Sequence, residues 1–373
     1  MPSDAGLRLL TGGRAYGGWK SVRVQRGIEQ VAGAFQLSVS ELWPGEYEAR
    51  RIQPGESCEL RVGDEPVMTG YVDAVEMTVD AAEHIVEAAG RDKTADLVDC
   101  SAIAGTGQWR GRRVEQVAAD LAAPFGVGVI TQADTGAALP TFSVQEGETA
   151  FEAIERAARL RGLLLVTDGR GALVITRAGS TLLQTRLVLA ENILRARALL
   201  DMRDRFSQYV LKGQTPGTDT HHGAAAAQPK ASALDSGVQR HRPLVVVSDA
   251  PDLGASLQER ARWEAVVRAA RSTQVQITVQ GWAHAGGLWQ PNTLVHVVAE
   301  PLRLDHQLLI SSVEYVLDEG GSTTELRLTR PDAYTLPPAP APAGAGPARA
   351  PRARPQANDD FWAMPSRPTA GGR

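Results

Sequence analysis

The chain has 373 residues, long enough for two or three domains at about 150 residues each, with buried cores. Hydrophobic residues make up 43% and charged residues 22%, an ordinary globular balance that excludes global disorder. With 39 Lys plus Arg against 43 Asp plus Glu, the net charge of -4 offers no basic excess of the kind that binds nucleic-acid phosphates.

The longest aliphatic runs, Leu163–Val166 and Leu244–Val247, fall far short of the roughly 20 residues of a membrane-spanning helix. Met1-Pro2-Ser3-Asp4 lacks the basic-then-apolar layout of a signal peptide. Neither Sec export nor stable membrane insertion is expected. The basic residues are nearly all Arg, with lysine only at Lys20, Lys93, Lys212 and Lys230, a bias that a GC-rich coding genome explains. Cys58 and Cys100 are too few for a disulfide framework or a cysteine-based zinc site. Both are expected to be small buried residues.

Along the chain, the first 90 or so residues alternate like strands: Val22 and Val24, then Phe35, Leu37 and Val39, then Cys58, Leu60 and Val62. Period-2 spacing puts each set on one face of a sheet. Gly12-Gly13, Gly17-Gly18, Pro44-Gly45 and Gly63-Asp64 punctuate the runs. The rhythm then turns helical. Val114, Val117, Ala118, Leu121 and Ala122 predict a helix that Pro124 ends. Thr149 and Glu152 form a capping box for a second helix, which Gly162 stops. Two apolar runs around Asp168-Gly169-Arg170-Gly171 predict a hairpin.

Strands resume at Phe206–Lys212, Leu244–Val247, Val275–Val279, Thr293–Val298, Leu308–Val316 and Glu325–Thr329. One long helix, from about Leu253 to Arg271, interrupts them and carries Arg260, Glu264 and Arg268 as a solvated, ion-paired face. Gly213 to Arg240 is expected to be a long mobile loop. From Leu336 onward, nine prolines and five arginines mark a tail too poor in apolar surface to order itself. Its exception, the apolar pentad Phe361-Trp362-Ala363-Met364-Pro365, could dock on a partner as a short linear peptide.

The fold class that follows is mainly β with α+β parts. It comprises two similar antiparallel β-barrel-like domains, an α/β insertion and a disordered Pro-rich C-terminal tail. The expected spans are 1–95 and 186–335 for the β-barrel-like domains, 96–185 for the insertion and 336–373 for the tail. Similarity of the β regions is visible in the residues. Pro54 to Asp92 can be laid over Pro291 to Asp332, with Val75-Glu76 on Val313-Glu314 and Arg91 on Arg330. Two such modules per chain, assembled three at a time, can build a ring of sixfold pseudo-symmetry from a threefold oligomer.

Catalytic signatures are missing. There is no Gly-x-Ser-x-Gly elbow, His-Glu-x-x-His zinc motif or phosphate loop ending in Gly-Lys-Ser/Thr. In Gly105–Gly111, Arg110 occupies the place of a dinucleotide loop's third glycine. His221 and His222 are adjacent and diverge in an extended chain; His296 sits inside a predicted strand as a packed residue. Trp282 and Trp289 are expected to pack in a core or at a barrel end. No catalytic residue, cofactor site or metal site is assigned, and the chain is not expected to be an enzyme.

Several stretches carry a family resemblance: Val31–Leu37, Val67–Asp73, Gly90–Ser101, Asp204–Tyr209, Gln239–Leu244, Val279–Trp282 and Gly287–Asn292. In this order they resemble the baseplate hub proteins of Mu-type contractile-tail bacteriophages and related prophages, and are distantly similar to the hubs of larger contractile phages. The resemblance implies a homotrimer whose paired β domains form a torus between the sixfold tail tube and the threefold central spike. It implies contacts with the tube protein, the spike protein and other baseplate proteins, and no sequence-specific nucleic-acid binding. It also implies a place in the virion's tail baseplate after assembly in the host cytoplasm. The partner-docking candidates of the tail, Phe361, Trp362 and Met364, match no family motif. Two alternatives stay open: a tail-associated peptidoglycan-binding or peptidoglycan-degrading protein, suggested by Val144–Thr149 before a capped helix, and the spike hub of a contractile injection system.

Overall fold

The computed structural model describes residues 6–40, 52–79, 84–179, 181–213, 230–247 and 255–336. Ten of its strands fall into two sets of five with the same order and nearly the same lengths. In the first module an opening strand, Ser21–Gly27, is followed by Ala34–Ser40, a short strand Ser57–Val62, a long strand Glu65–Val79 and a closing strand His84–Asp92. In the second module the corresponding strands are Ile193–Leu200, Thr273–Gln280, Thr293–Ala299, Leu304–Asp318 and Gly321–Thr329.

Both long strands have 15 residues and both closing strands have nine. Each long strand carries a register shift at the same place, between Val72 and Ala74 in one copy and between Ile310 and Ser312 in the other. A bulge of this kind adds one residue and bends the strand. Val75-Glu76 therefore matches Val313-Glu314, and Glu76 opposite Glu87 matches Glu314 opposite Glu325. The ladder sets Arg91 on Thr329, one residue away from the match read in the sequence.

Neither module closes into a barrel. Eleven strands of the fourteen-stranded main sheet run as one open path from Ile193–Leu200 through the second module, across into Ser21–Gly27, through the first module and out to Leu7–Thr11 and Arg14–Tyr16. Thr293–Ala299 branches from the second long strand and carries the two short strands Thr181–Leu182 and Leu187–Val188. The inner half of each long strand pairs with its own short strand. The outer half of the second module's long strand instead takes the opening strand of the first, Ser312 to Leu317 against Gly27 to Val22. Closure within a module is thus replaced by pairing between modules.

Alternation decides which side chains face the core. Val22 and Val24 point inward with Leu37, Val72, Val86, Val313, Tyr315 and Leu326 in one cluster shared by both modules. Burying a side chain of this kind contributes about 1.5–3 kcal/mol. Trp282 and Trp289 are buried in this cluster as expected.

Between the closing strand of the first module and the opening strand of the second lies an α/β region. The helices Val114–Ala122 and Ala150–Arg159 pack beside a three-stranded sheet of Gly128–Thr131, Leu164–Thr167 and Ala172–Thr176. The capping box at Thr149 forms as its sequence predicts: Glu152 N donates to the Thr149 hydroxyl, and Thr149 N donates to the Glu152 carboxylate. Leu121, Ile154, Leu165, Leu173 and Ile175 centre its core. Gln108–Arg112 is a strand paired antiparallel with Leu139–Ser143, with the helix Val114–Ala122 and the strand Gly128–Thr131 between them in the chain, so the Gly105–Gly111 stretch leads into a two-stranded ladder.

The second module is itself interrupted. Gln208–Lys212 forms the middle of a separate sheet, between Lys230–Leu234 and Pro243–Val247. The helix Ala255–Arg271 covers that sheet through Leu257 and Ala261 against Leu211. Part of the stretch expected to be a loop is therefore ordered. Lys230–Leu234 is a strand, and Asp235 forms a bidentate pair with Arg205, its Nε 2.5 Å and Nη2 2.9 Å from the two carboxylate oxygens. The remainder of that loop, with His221 and His222, lies outside the described residues. Glu264 pairs with Arg268 at 2.9 Å, but it is buried rather than part of a solvated face. Cys58 is buried as expected, whereas Cys100 is exposed at the end of a short helix.

Candidate functional site

No cluster of His, Cys, Asp and Glu suited to a metal ion occurs among the described residues. Two of the described histidines make local contacts. His296 meets Asp305 across two strands at 2.8 Å, and His284 meets the Thr185 hydroxyl at 3.1 Å beside Trp289. Burial holds the His284 pKa below its ordinary value. The structure's organised surfaces are instead the edges of its sheets.

The junction between modules shows how such an edge is built. Arg23 on the opening strand donates to Glu314 on the long strand at 3.0 Å, on the outer face of the sheet. On the inner face Val22 and Val24 lie against Val313 and Tyr315, all fully buried. Arg26 continues the inner row and reaches past the sheet, where it donates to the Thr167 carbonyl at 3.1 Å and ties the junction to the α/β region.

Two equivalent edges are unpaired among the described residues. Ile193–Leu200 ends the sheet: it bonds Thr273–Gln280 on its inner side, Ile193 also bridges Leu189, and Ala196–Leu200 has no further strand among the described residues. Across the first module, Ser57–Val62 pairs with the long strand only as far as Tyr71, and the backbone of Val72 bonds Gly55 and Glu56. Beyond it, Asp73–Val79 has the closing strand on one side and, among the described residues, no strand on the other. Met77 is 66% exposed and Val79 72%, and Leu200 on the other edge is 64% exposed. Apolar, unpaired edges are what stable proteins normally cover.

The base of this second edge is rigidly held. Gly70 and Gly90 stand where a Cβ would lie 1.9 Å from the Arg91 carbonyl and 2.1 Å from the Tyr71 carbonyl. Asp92, closing the strand, is buried and accepts from Gly33 N at 3.1 Å, from Thr94 N at 2.8 Å and from the Thr94 hydroxyl. Burial raises its pKa, and these hydrogen bonds offset part of the rise. Arg91 forks between Asp73 and Asp99, 2.8 Å from each, and fixes the bulge to the following helix.

Comparison with known proteins identifies the scaffold. Residues 6–92 match the family described as Mu phage baseplate assembly protein GpP-like, N-terminal, and residues 94–177 match baseplate hub protein gp44-like, second domain. Residues 205–263 match tail protein NMB1110-like, third domain, and residues 254–337 match Mu phage baseplate assembly protein GpP, fourth domain. The baseplate hub protein gp44 of Escherichia phage Mu is 38% identical over 341 residues, 89% of each chain. The chain belongs to the Mu-type baseplate hub family. Among solved structures, a 43 kDa tail protein of prophage MuSo2 from Shewanella oneidensis superposes with a TM-score of 0.80 at 34% identity. That match covers 89% of this chain and all of the other. A tail protein from Neisseria meningitidis MC58 gives 0.74 at 26% identity, over 89% of this chain and 98% of the other.

This baseplate hub chain presents unpaired strand edges among its described residues. The segments that carry the family resemblance lie at its tight places: Gly70, Gly90, Asp92 and Thr94 fall within them, as do Arg205, Arg242 and Trp289. The three tail residues expected to dock, Phe361, Trp362 and Met364, lie outside the described residues. What the sequence missed was the pair of free edges. Their exposed residues are ordinary strand residues, and only the pairing around them shows that one side is open.

Proposed function

We propose that the hub works as a homotrimeric ring that joins the sixfold tail tube to the threefold central spike of a contractile phage tail, whether phage, prophage or tailocin. The observation that carries this reading is the tandem of two like modules bonded head to tail in one sheet. A head-to-tail contact is heterologous, so repeating it either closes a ring or grows a filament. Three chains supply six modules, which present near-sixfold symmetry to one neighbour and true threefold symmetry to another.

In this reading the domains are 1–95 and 186–335 in the ring, 96–185 outside it and 336–373 as a tail whose Phe361, Trp362 and Met364 dock on the spike or another baseplate protein. The role is structural, without catalysis or cofactor. The ring transmits sheath contraction to the spike and then leaves an axial opening for DNA without reading its sequence. Assembly takes place in the host cytoplasm, with no stable membrane insertion. The Mu hub relative and the tail proteins from prophage MuSo2 and Neisseria meningitidis support a structural role in a phage tail. Electron microscopy of the purified chain tests the reading. Annular particles whose class averages show six subdivisions support it, and compact single-chain particles at every concentration refute it.

A further inference from the structure

The pseudo-symmetry of the sheet specifies the contact between protomers. Strand ladders give the equivalences without reference to any other protein. One row crosses the first module through Arg23, Gln36, Ala89 and Ala74. The matching row crosses the second through Arg197, Gln276, Arg327 and Ser312. Arg197 is therefore the counterpart of Arg23, and Glu76, two residues beyond Ala74, is the counterpart of Glu314. Within the chain, the long strand of the second module bonds the opening strand of the first. The long strand of the first module and the opening strand of the second have the same two edges, and both are unpaired among the described residues.

The geometry points to an intermolecular β-ladder in which Val75–Val79 of one protomer pairs antiparallel with Ala196–Leu200 of the next, with Glu76 and Arg197 as an ion pair. The inference deepens the trimeric reading and rests on it. Carrying the observed register of the junction across, Met77 falls opposite Ala198, Thr78 opposite Arg197, Glu76 opposite Leu199 and Val79 opposite Ala196. The faces then sort correctly. Met77 corresponds to Tyr315, which is 0% exposed where its edge is covered. Val75, Met77 and Val79 join Ala196, Ala198 and Leu200 on the core side, the counterparts of Val313, Tyr315 and Leu317 with Val22, Val24 and Arg26. Glu76 and Arg197 fall on the outer side, as Glu314 and Arg23 do. A shift by one residue would turn Met77 outward and bring Glu76 to the core side.

Disulfide trapping on the full chain tests the register. Met77→Cys and Ala198→Cys are combined in a Cys100→Ser background and oxidised mildly. Bridging needs Cα atoms about 4.4–6.8 Å apart, which only the stated register supplies. The expected product is a reducible covalent trimer, with neither single substitution giving one and with Met77→Cys plus Arg195→Cys giving none. The reduced double variant keeps the wild-type native mass, which shows that it folds. Independently, Glu76→Arg should raise the concentration at which the assembly dissociates about fivefold, and adding Arg197→Glu should restore it. A native trimer that cross-links equally in both registers, or not at all, overturns this ladder and leaves the trimeric ring standing. A wild-type chain that remains a monomer overturns both.

Discussion

Gly90→Ala probes the packing that holds the free hairpin edge in place. A Cβ at Gly90 would lie 2.1 Å from the Tyr71 carbonyl and 2.6 Å from the Phe35 ring. The obstruction comes from a backbone atom on one side and a buried ring on the other, so neither neighbour can yield cheaply. Overpacking of a core commonly costs about 1–3 kcal/mol, and a clash with a ladder carbonyl belongs at the upper end. About 3 kcal/mol corresponds to a fall in Tm of roughly 6–12 °C at about 2–4 °C per kcal/mol. Gly6 is the control, because nothing lies within 4 Å of its Cβ position and its φ is not in the left-handed region. Differential scanning calorimetry of the three proteins, at matched chain concentration, measures the shifts. Gly90→Ala within about 1 °C of both Gly6→Ala and wild type would refute the close approach on which the position of Asp73–Val79 depends.

Three further outcomes are expected. Thr149→Ala removes the cap of the helix Ala150–Arg159 and should destabilise it by about 1 kcal/mol, seen as faster amide exchange in its first turn and little change in the main sheet. Under native conditions iodoacetamide should alkylate Cys100, which is exposed, and spare Cys58, whose thiol burial pushes up to about 12; prompt labelling of both would contradict the packed first module. The Arg205 and Arg156 guanidinium groups hold Asp235 and Glu148 below the usual carboxylate range. Stability from these two pairs is present above that range and is lost as pH falls through the lowered values. Asp92 titrates in the opposite sense, since burial raises its pKa and protonation favours the folded form. Urea melts across this range should show acid weakening that Asp235→Asn abolishes at its own site.

The sequence makes the elements legible where the physics is local. Alternation at Val22–Gln25 and Phe35–Val39, the helical spacing from Val114 to Ala122 and the capping box at Thr149 all depend on neighbours within a few residues. The Val-Glu pairs at 75–76 and 313–314 were legible too, because both long strands keep the same side-chain pattern. Closure was not. A module resembles a barrel strand by strand, yet its last edge is completed by a distant segment, Ser21–Gly27 against Leu304–Asp318. The repeat also includes Ile193–Leu200, but that strand shares little more than Arg197 with its counterpart. A separate sheet at 208–247 and a 17-residue helix come before its neighbour Thr273–Gln280. The strand Lys230–Leu234 escaped notice because Lys-Ala-Ser-Ala-Leu has little β propensity. Pairing with Gln208–Lys212 and cover by the long helix create it. Cys100 likewise gives no local sign of whether it faces solvent.

The native mass of the full chain, measured by light scattering during size exclusion over a wide range of loading concentrations, tests the central claim most directly. A closed ring predicts a discrete species at three times 39.8 kDa, with no larger polymer growing as the concentration rises. A concentration-independent species at 39.8 kDa, or an open ladder of increasing size, would contradict it.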